Sequence, residues 1–382
     1  MRLVDVSAFY SPHGGGVKTY VEQKLRLGPE LGVEVVILAP GDQHSVSEYG
    51  PRARIVTIPS PRLPLDRNYW YFGDQAALHA ALDELRPDLV ECGSPWRSPD
   101  WVANWRKDVP KSLFMHADPM SAYAYRWFDP LFPREFTDRL FAPYWRHLRR
   151  LSARYASVIC ASRDLQDRLI AGGVEHTKLI PMGVEANTFA PANRDPILRA
   201  KLLGELGLPP EAGLLITIGR LSAEKRWATV IAGVKQAARD RPLGLVILGE
   251  GREKPQVLRA ISAESHMRLL EPERDRARFA AILASTDALV HGGDAETFGL
   301  ATAEARASGV PVVVPDRGGA ADHAADGGGL TYRAADPRSL AQAIGQLAAQ
   351  GWPRSHVQVR TMREHFELLF AHYADLIAAH KA

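Results

Sequence analysis

Apolar positions along the chain fall into short continuous runs, separated by stretches in which they recur every three to four residues. The first run is Leu3–Val6, followed by a glycine loop at His13-Gly-Gly-Gly16, a helical spacing from Val17 to Leu31, and a second run at Val33–Leu38. This order predicts a strand, a helix and a second strand. Leu89–Cys92 and Val158–Ala161 repeat the strand signature between helical stretches. Strands that are apolar at nearly every position belong to parallel sheets covered on both faces, so the fold class is α/β.

A Pro- and Asn-rich passage from Val184 to Pro196 has the composition of a linker, and a second series follows it: Leu214–Ile218, Leu243–Leu248, Ala288–His291 and Val310–Val314, each leading through a loop into a helical spacing. The chain therefore divides into two doubly wound domains, residues 1–190 and 191–356. Residues 357–382 read as a helix with Phe366, Leu368, Leu369, Tyr373, Leu376 and Ile377 on overlapping faces, expected to pack across both domains.

A length of 382 residues suits two domains at roughly 150 residues each. The 47 Lys and Arg residues are nearly balanced by 44 Asp and Glu, and the balance holds in each half, which argues against a nucleic-acid partner. Cys92 and Cys160 are isolated, with no His or Cys at metal-ligand spacing. Together with the absence of a long apolar stretch, they lead to the expectation of a cytoplasmic protein, peripheral at most to the inner face of the plasma membrane. One segment, Pro133–Tyr155, interleaves Arg134, Arg139, Arg146, Arg149, Arg150 and Arg154 with Phe136, Phe141, Tyr144, Trp145 and Leu148. Residues 134–154 thus raise an anionic membrane surface as a partner. An ordinary amphipathic helix with a solvated arginine face accounts for the same pattern, and on pattern alone it is the better account.

Three loops carry chemistry. Gly14, Gly15 and Gly16 lie between a strand and a helix, where bare backbone can approach an anion, but they fit neither the P-loop nor the dinucleotide pattern. Gly219-Arg-Leu-Ser-Ala-Glu-Lys-Arg226 sets Arg220 and Lys225 just beyond a strand's C-terminal end, where open α/β sheets bind ligands; two such cations suit a diphosphate. They are equally readable as surface charges paired with Glu224. Gly292 to Gly309 places Glu296 before a helix and Glu304 about two turns later, with the N–H groups of Phe298, Gly299 and Leu300 opening the helix. Carboxylates there suit sugar or ribose hydroxyls, or alternatively a helix dipole and solvent.

Together, Gly15-Gly16, the Gly-Arg-Leu-x-x-Glu-Lys stretch at 219–225 and Glu296-x7-Glu304 with Phe-Gly-Leu between resemble the retaining nucleotide-sugar glycosyltransferases of family four, across nearly the whole chain and in the family's order. The resemblance implies the GT-B fold, two Rossmann-like domains facing a central cleft. It also implies a nucleotide-sugar donor carrying UDP or GDP, no metal and no other cofactor. Arg220 and Lys225 would neutralise the donor's diphosphate, which Gly15 and Gly16 would approach from the other domain. Glu304 would hold the ribose, Glu296 the transferred sugar with help from the backbone of Phe298, Gly299 and Leu300, and His116 would sit near the sugar's hydroxymethyl group. Two features depart from the family: Gly318-Gly-Ala-Ala-Asp322 ends in Asp where Glu is usual, and Met267–Glu273 lacks the glycine turn near the base, so base preference is not carried over.

The implied reaction is same-face transfer to a glycan or lipid-linked acceptor, with the leaving phosphate accepting the acceptor's proton. The chain has no Asp-x-Asp. Acceptor contacts are expected among the aromatic N-domain loops, at Tyr10, His13, Tyr69, Trp70 and Tyr123. A nucleotide-sugar epimerase, a phosphorylase and a non-catalytic sugar-nucleotide-binding protein share the architecture; the first two need an acid/base set or a pyridoxal-phosphate lysine that the sequence does not display.

Overall fold

The apolar runs form strands, and the helical spacings between them form helices that cover both faces of two sheets. The computed structural model describes every residue except 9, 12–14, 65, 94, 96, 130, 186, 326 and 355–357, and the side chains of 66–68.

The first unit comprises residues 1–118, 128–182 and 362–382. Its strands are β1 (Arg2–Ser7), β2 (Glu34–Gly41), β3 (Ser45–Gly50), β4 (Ala53–Pro59), β5 (Arg62–Leu63), β6 (Asp66–Trp70), β7 (Leu89–Gly93), β8 (Lys111–Phe114), β9 (Ser157–Cys160) and β10 (Thr177–Leu179). Eight form one sheet in the order β10-β9-β8-β7-β1-β2-β4-β3, and β5 pairs with β6 alone. Among the described residues only the edge pair β3–β4 in the large sheet is antiparallel. Val4 faces Val36 on one side and Val90 on the other, all three fully buried. Strand order reverses at β1, which opens a crevice beyond its C-terminal end, and helix Gly16–Glu30 begins there.

Two expectations change here. The C-terminal helix, Met362–Lys381, expected to pack across both domains, groups with this unit: Phe366, Leu369 and Tyr373 are buried, and the Tyr373 hydroxyl donates to Glu91 Oε2 at 2.8 Å. The unit ends at Met182, before the linker-like passage, because Val184 already bridges to Thr361 of the second unit. The basic and aromatic segment is two helices, Arg134–Leu140 and Ala142–Ser152, broken at Phe141 where Pro143 opens the second. In the second helix Trp145, Leu148 and Leu151 are buried while Arg146, Arg149 and Arg150 are exposed, as the ordinary amphipathic reading requires. Ahead of it Leu131, Phe132, Phe136 and Leu140 are exposed instead.

The second unit comprises residues 119–127 and 183–361. Its strands β11 (Gly213–Ile218), β12 (Leu243–Leu248), β13 (Met267–Leu270), β14 (Ala288–Val290), β15 (Val312–Pro315) and β16 (Gly329–Tyr332) form a parallel sheet in the order β13-β12-β11-β14-β15-β16. Side chains alternate between two cores, as the period of two demands. Leu215, Leu245, Ile247 and Val290 pack with Trp227, Val234, Leu340 and Ile344 on one face. Leu214, Ile216, Val246 and Leu289 pack with Leu202, Leu206, Phe279 and Leu283 on the other. Order reverses between β11 and β14, and the loops after β11, β14 and β15 leave from adjacent strand ends.

Candidate active site

In the second unit, the loop after β11 forms a short 3-10 turn, Ala223–Lys225, and then passes through Arg226 at φ 48° before helix Trp227–Ala237. A left-handed backbone costs a residue with a Cβ about 1–2 kcal/mol. The loop after β14 carries Glu296 and leads through Gly299, at φ 88°, into helix Leu300–Ala307. Lys225 Nζ donates to Glu296 Oε1, and His291 Nε2 reaches the same oxygen at 3.1 Å. His291 is held in turn by the Tyr332 hydroxyl, which donates to its carbonyl at 2.9 Å. Burial alone would raise the Glu296 carboxyl, but Lys225 and His291 outweigh it and hold it well below the usual carboxylate range.

Arg220 stays apart from this cluster. Its side chain is mostly exposed, 3.9 Å from Glu224, so the alternative pairing holds for Arg220 only weakly and for Lys225 not at all. Phe298, Gly299 and Leu300 form the entry to the helix as expected, and the Phe298 carbonyl accepts from His323 Nε2 at 2.9 Å. Burial, then Arg306, push the His323 imidazole down to about 4, which keeps it neutral. Glu304 is buried one turn into the helix, where Arg276 Nη2 donates to Oε1 at 2.8 Å and the Arg276 guanidinium lies 4.9 Å from the Phe189 ring. Burial raises the Glu304 carboxyl to about 6, with Arg276 offsetting part of the rise.

In the first unit, Lys24 is fully buried between Asp5 Oδ2 at 2.7 Å and Glu91 Oε1 at 2.6 Å, its ammonium 4.9 Å from the Tyr20 ring. Burial would lower the ammonium, but the two carboxylates outweigh it and raise it. His116 stacks on Phe114 at 4.1 Å and meets Tyr20 edge-on at 4.9 Å. Burial first, then Lys24 and His365, hold the His116 imidazole well below its ordinary range. A neutral ring there can donate or accept a hydrogen bond but carries no positive charge. Among the described residues a Cβ built at Gly15 or Gly16 would meet nothing within 4 Å, so no packing among them demands those glycines.

The acceptor candidates are scattered. Tyr10 is buried, and burial with a hydrogen bond to Tyr49 pushes its hydroxyl up. Trp70 Nε1 donates to Asp42 Oδ1 at 2.8 Å beneath the Arg62 guanidinium, with Tyr69 half-buried beside it. Tyr123 is exposed and belongs to the second unit, while His13 lies outside the described residues. Among the described residues no three His, Cys, Asp or Glu side chains gather as a metal-binding group.

Sequence reasoning passed over His291, Asp294, Arg226, Arg317 and Arg276. Arg226 and Asp294 stand inside the quoted motifs, and His291 ends the apolar run just before one of them, five residues from Glu296; Arg276 and Arg317 have no local signal, since each acts on a partner 23 or more residues away that only the fold brings near.

Residues 14–188 match the family described as Glycosyltransferase Family 4, and residues 212–350 match Glycosyl transferases group 1. A GDP-mannose-dependent alpha-(1-6)-phosphatidylinositol dimannoside mannosyltransferase from Mycobacterium tuberculosis is 30% identical over 323 residues, 82% of this chain and 79% of that protein. A GDP-mannose-dependent alpha-mannosyltransferase from Corynebacterium glutamicum is 26% identical over 99% of this chain and 90% of its own length. Sucrose-phosphate synthase from Thermosynechococcus elongatus has the same fold, with a TM-score of 0.76 at 18% identity over 99% of this chain and 100% of that one.

Proposed function

The chain belongs to the family 4 glycosyltransferases and has their GT-B fold, and from that premise we propose that it moves a mannosyl group from GDP-mannose to a hydroxyl of a glycolipid or lipid-linked saccharide, with retention of configuration and without a metal. The donor and the acceptor class follow the names of the relatives. The observation that carries the reading is the Lys225–Glu296 pair, a cation for the leaving phosphate bonded to a carboxylate for the transferred sugar, on loops from adjacent strand ends.

In this reaction the bond between sugar C1 and the phosphate oxygen breaks, and the nucleoside diphosphate leaves with the bonding pair. The acceptor oxygen bonds to C1 on the same face, and its proton passes to the departing phosphate. Lys225 and Arg220 neutralise charge that grows on that phosphate, the stabilisation that preorganised donors supply best. Glu296, kept ionised by Lys225 and His291, accepts hydrogen bonds from sugar hydroxyls. Glu304 takes the ribose hydroxyls, and neutral His116 and Gly15-Gly16 serve the sugar and the phosphates.

The test is nucleotide release from GDP-, UDP- and ADP-sugars in EDTA with a phosphatidylinositol mannoside as acceptor, and the anomeric configuration of the product by proton NMR. Release from GDP-mannose that is lost in Arg220→Ala and Glu304→Ala, with an α product, is expected. Activity that requires an added metal, or an inverted product, refutes the corresponding part.

The acceptor class also brings a membrane surface into the reading. Leu131, Phe132, Phe136 and Leu140 are exposed, as are Arg139, Arg146 and Arg150 within the same stretch of sequence, and such a mixture of apolar and cationic side chains suits an anionic lipid surface.

A further inference from the structure

Asp294 is almost fully buried, and both of its oxygens are occupied by guanidinium groups. Arg226 Nε donates to Oδ1 at 2.7 Å and Nη2 to Oδ2 at 2.9 Å; Arg317 Nε and Nη2 both donate to Oδ2, at 3.0 and 2.8 Å. The three residues stand on the three loops that leave β11, β14 and β15. Each is next to something the donor reading uses: Arg226 follows Lys225, Asp294 stands two before Glu296, and Arg317 precedes the Gly318-Gly319 turn. Packing ties the same loops together. A Cβ at Gly318, whose φ is 79°, would come within 2.8 Å of the Asp294 carbonyl oxygen, and the Gly319 N–H donates to the Glu296 carbonyl at 2.6 Å.

Arg226 is the strained member. It takes the left-handed conformation without being glycine, and its guanidinium is fixed at two points by one carboxylate. Released from that carboxylate, the residue would relax toward ordinary backbone angles and turn Lys225, its immediate neighbour, away from Glu296.

We propose that Asp294 is a positioning residue for nucleoside diphosphate binding, which acts through Arg226 to hold Lys225 at the phosphate subsite. The inference rests on the reading of Lys225 as a phosphate cation. It adds a residue that touches no substrate yet sets the affinity for the diphosphate.

Isothermal calorimetry with GDP and competition experiments with guanosine test it on the full chain, with melting temperature as a fold check. Asp294→Asn, which keeps the shape and loses the charge, is expected to weaken GDP roughly tenfold while guanosine binding stays within about twofold. In a Lys225→Ala background the same change is expected to leave GDP affinity unaltered, because the group it positions is gone. Equal loss for GDP and guanosine, or a full additive loss in the Lys225→Ala background, makes Asp294 merely structural and overturns the inference. Wild-type affinity in Asp294→Asn overturns it as well. A wild-type chain that binds none of GDP, UDP and ADP removes the donor reading and this inference together, whereas normal wild-type binding with an unaffected Asp294→Asn removes the inference alone.

Discussion

Acid should loosen the grip on the donor through one carboxyl group. Glu304 is buried with its pKa raised from 4.5 to about 6, burial being the main cause and Arg276 the partial offset. Ribose hydroxyls donate to the ionised carboxylate, so donor affinity should follow the ionised fraction. Above pH 7 that fraction is nearly complete; at pH 5 it is about one tenth, which predicts roughly tenfold weaker binding, or about 1.4 kcal/mol. The ligand must be GDP-mannose rather than GDP, because its diphosphate lacks the terminal ionisation that falls near the same pH. Calorimetry from pH 5 to 8 on wild type and Glu304→Gln is the assay. Wild type should show the inflection near pH 6, and Glu304→Gln should be weaker at pH 7 and flat. Arg276→Ala, which removes the cation that favours ionisation, should move the inflection upward. The same shift bears on stability with the opposite preference: a carboxyl raised on folding contributes most below pH 4.5 and loses up to about 2 kcal/mol as pH rises through 6. Glu304→Gln should therefore gain relative stability between pH 5 and 7 in the absence of donor. A flat wild-type profile, or the same slope in Glu304→Gln, refutes the assignment of the ribose contact.

Lys24→Met should cost about 3–5 kcal/mol in urea unfolding at pH 7, because it leaves Asp5 and Glu91 buried without their cation; a loss under 1 kcal/mol would mean water reaches the pair. His116→Ala should lower turnover at least tenfold without moving the acid limb of the pH–rate profile, since the imidazole is already neutral there; an acid limb that vanishes with the histidine contradicts that role. In vesicle sedimentation with anionic lipid, Phe132→Ser with Phe136→Ser should abolish binding, and Arg146, Arg149 and Arg150 changed to Glu should weaken it. Wild-type chain left in the supernatant sinks the membrane reading.

Most of the fold was legible because a parallel sheet writes itself into sequence as apolar runs, and Leu243–Leu248 came out residue for residue. The strand-end loops with Lys225, Glu296 and Glu304 were legible too, since their chemistry is local. What stayed hidden depends on distant partners. Lys24 looks like any polar position on helix Gly16–Glu30, and only β1 and β7 lying side by side make it the centre of an ion triad. Amphipathic spacing in Met362–Lys381 says that the helix has a face to bury but not which sheet receives it. Asp294 and Arg317 are separated by an entire helix and strand and meet because β14 and β15 are neighbours. The break at Phe141 was missed because the interleaved arginines and aromatics outweighed Pro143 in the reading of one continuous helix.

The return of the last helix to the first unit has a consequence for biosynthesis. His365, Phe366, Leu369 and Tyr373 fill a core whose other walls, around Tyr20 and Glu91, leave the ribosome hundreds of residues earlier. Emerging in chain order, the second unit is whole first and its predecessor must wait, unsealed, with a buried carboxylate still lacking its tyrosine. Such a chain is in effect one domain inserted into another. A released chain that stops at Thr361 should be cut by a protease in residues 1–118 and 128–182 and spared in 119–127 and 183–361; uniform protection would show that the early segment closes unaided.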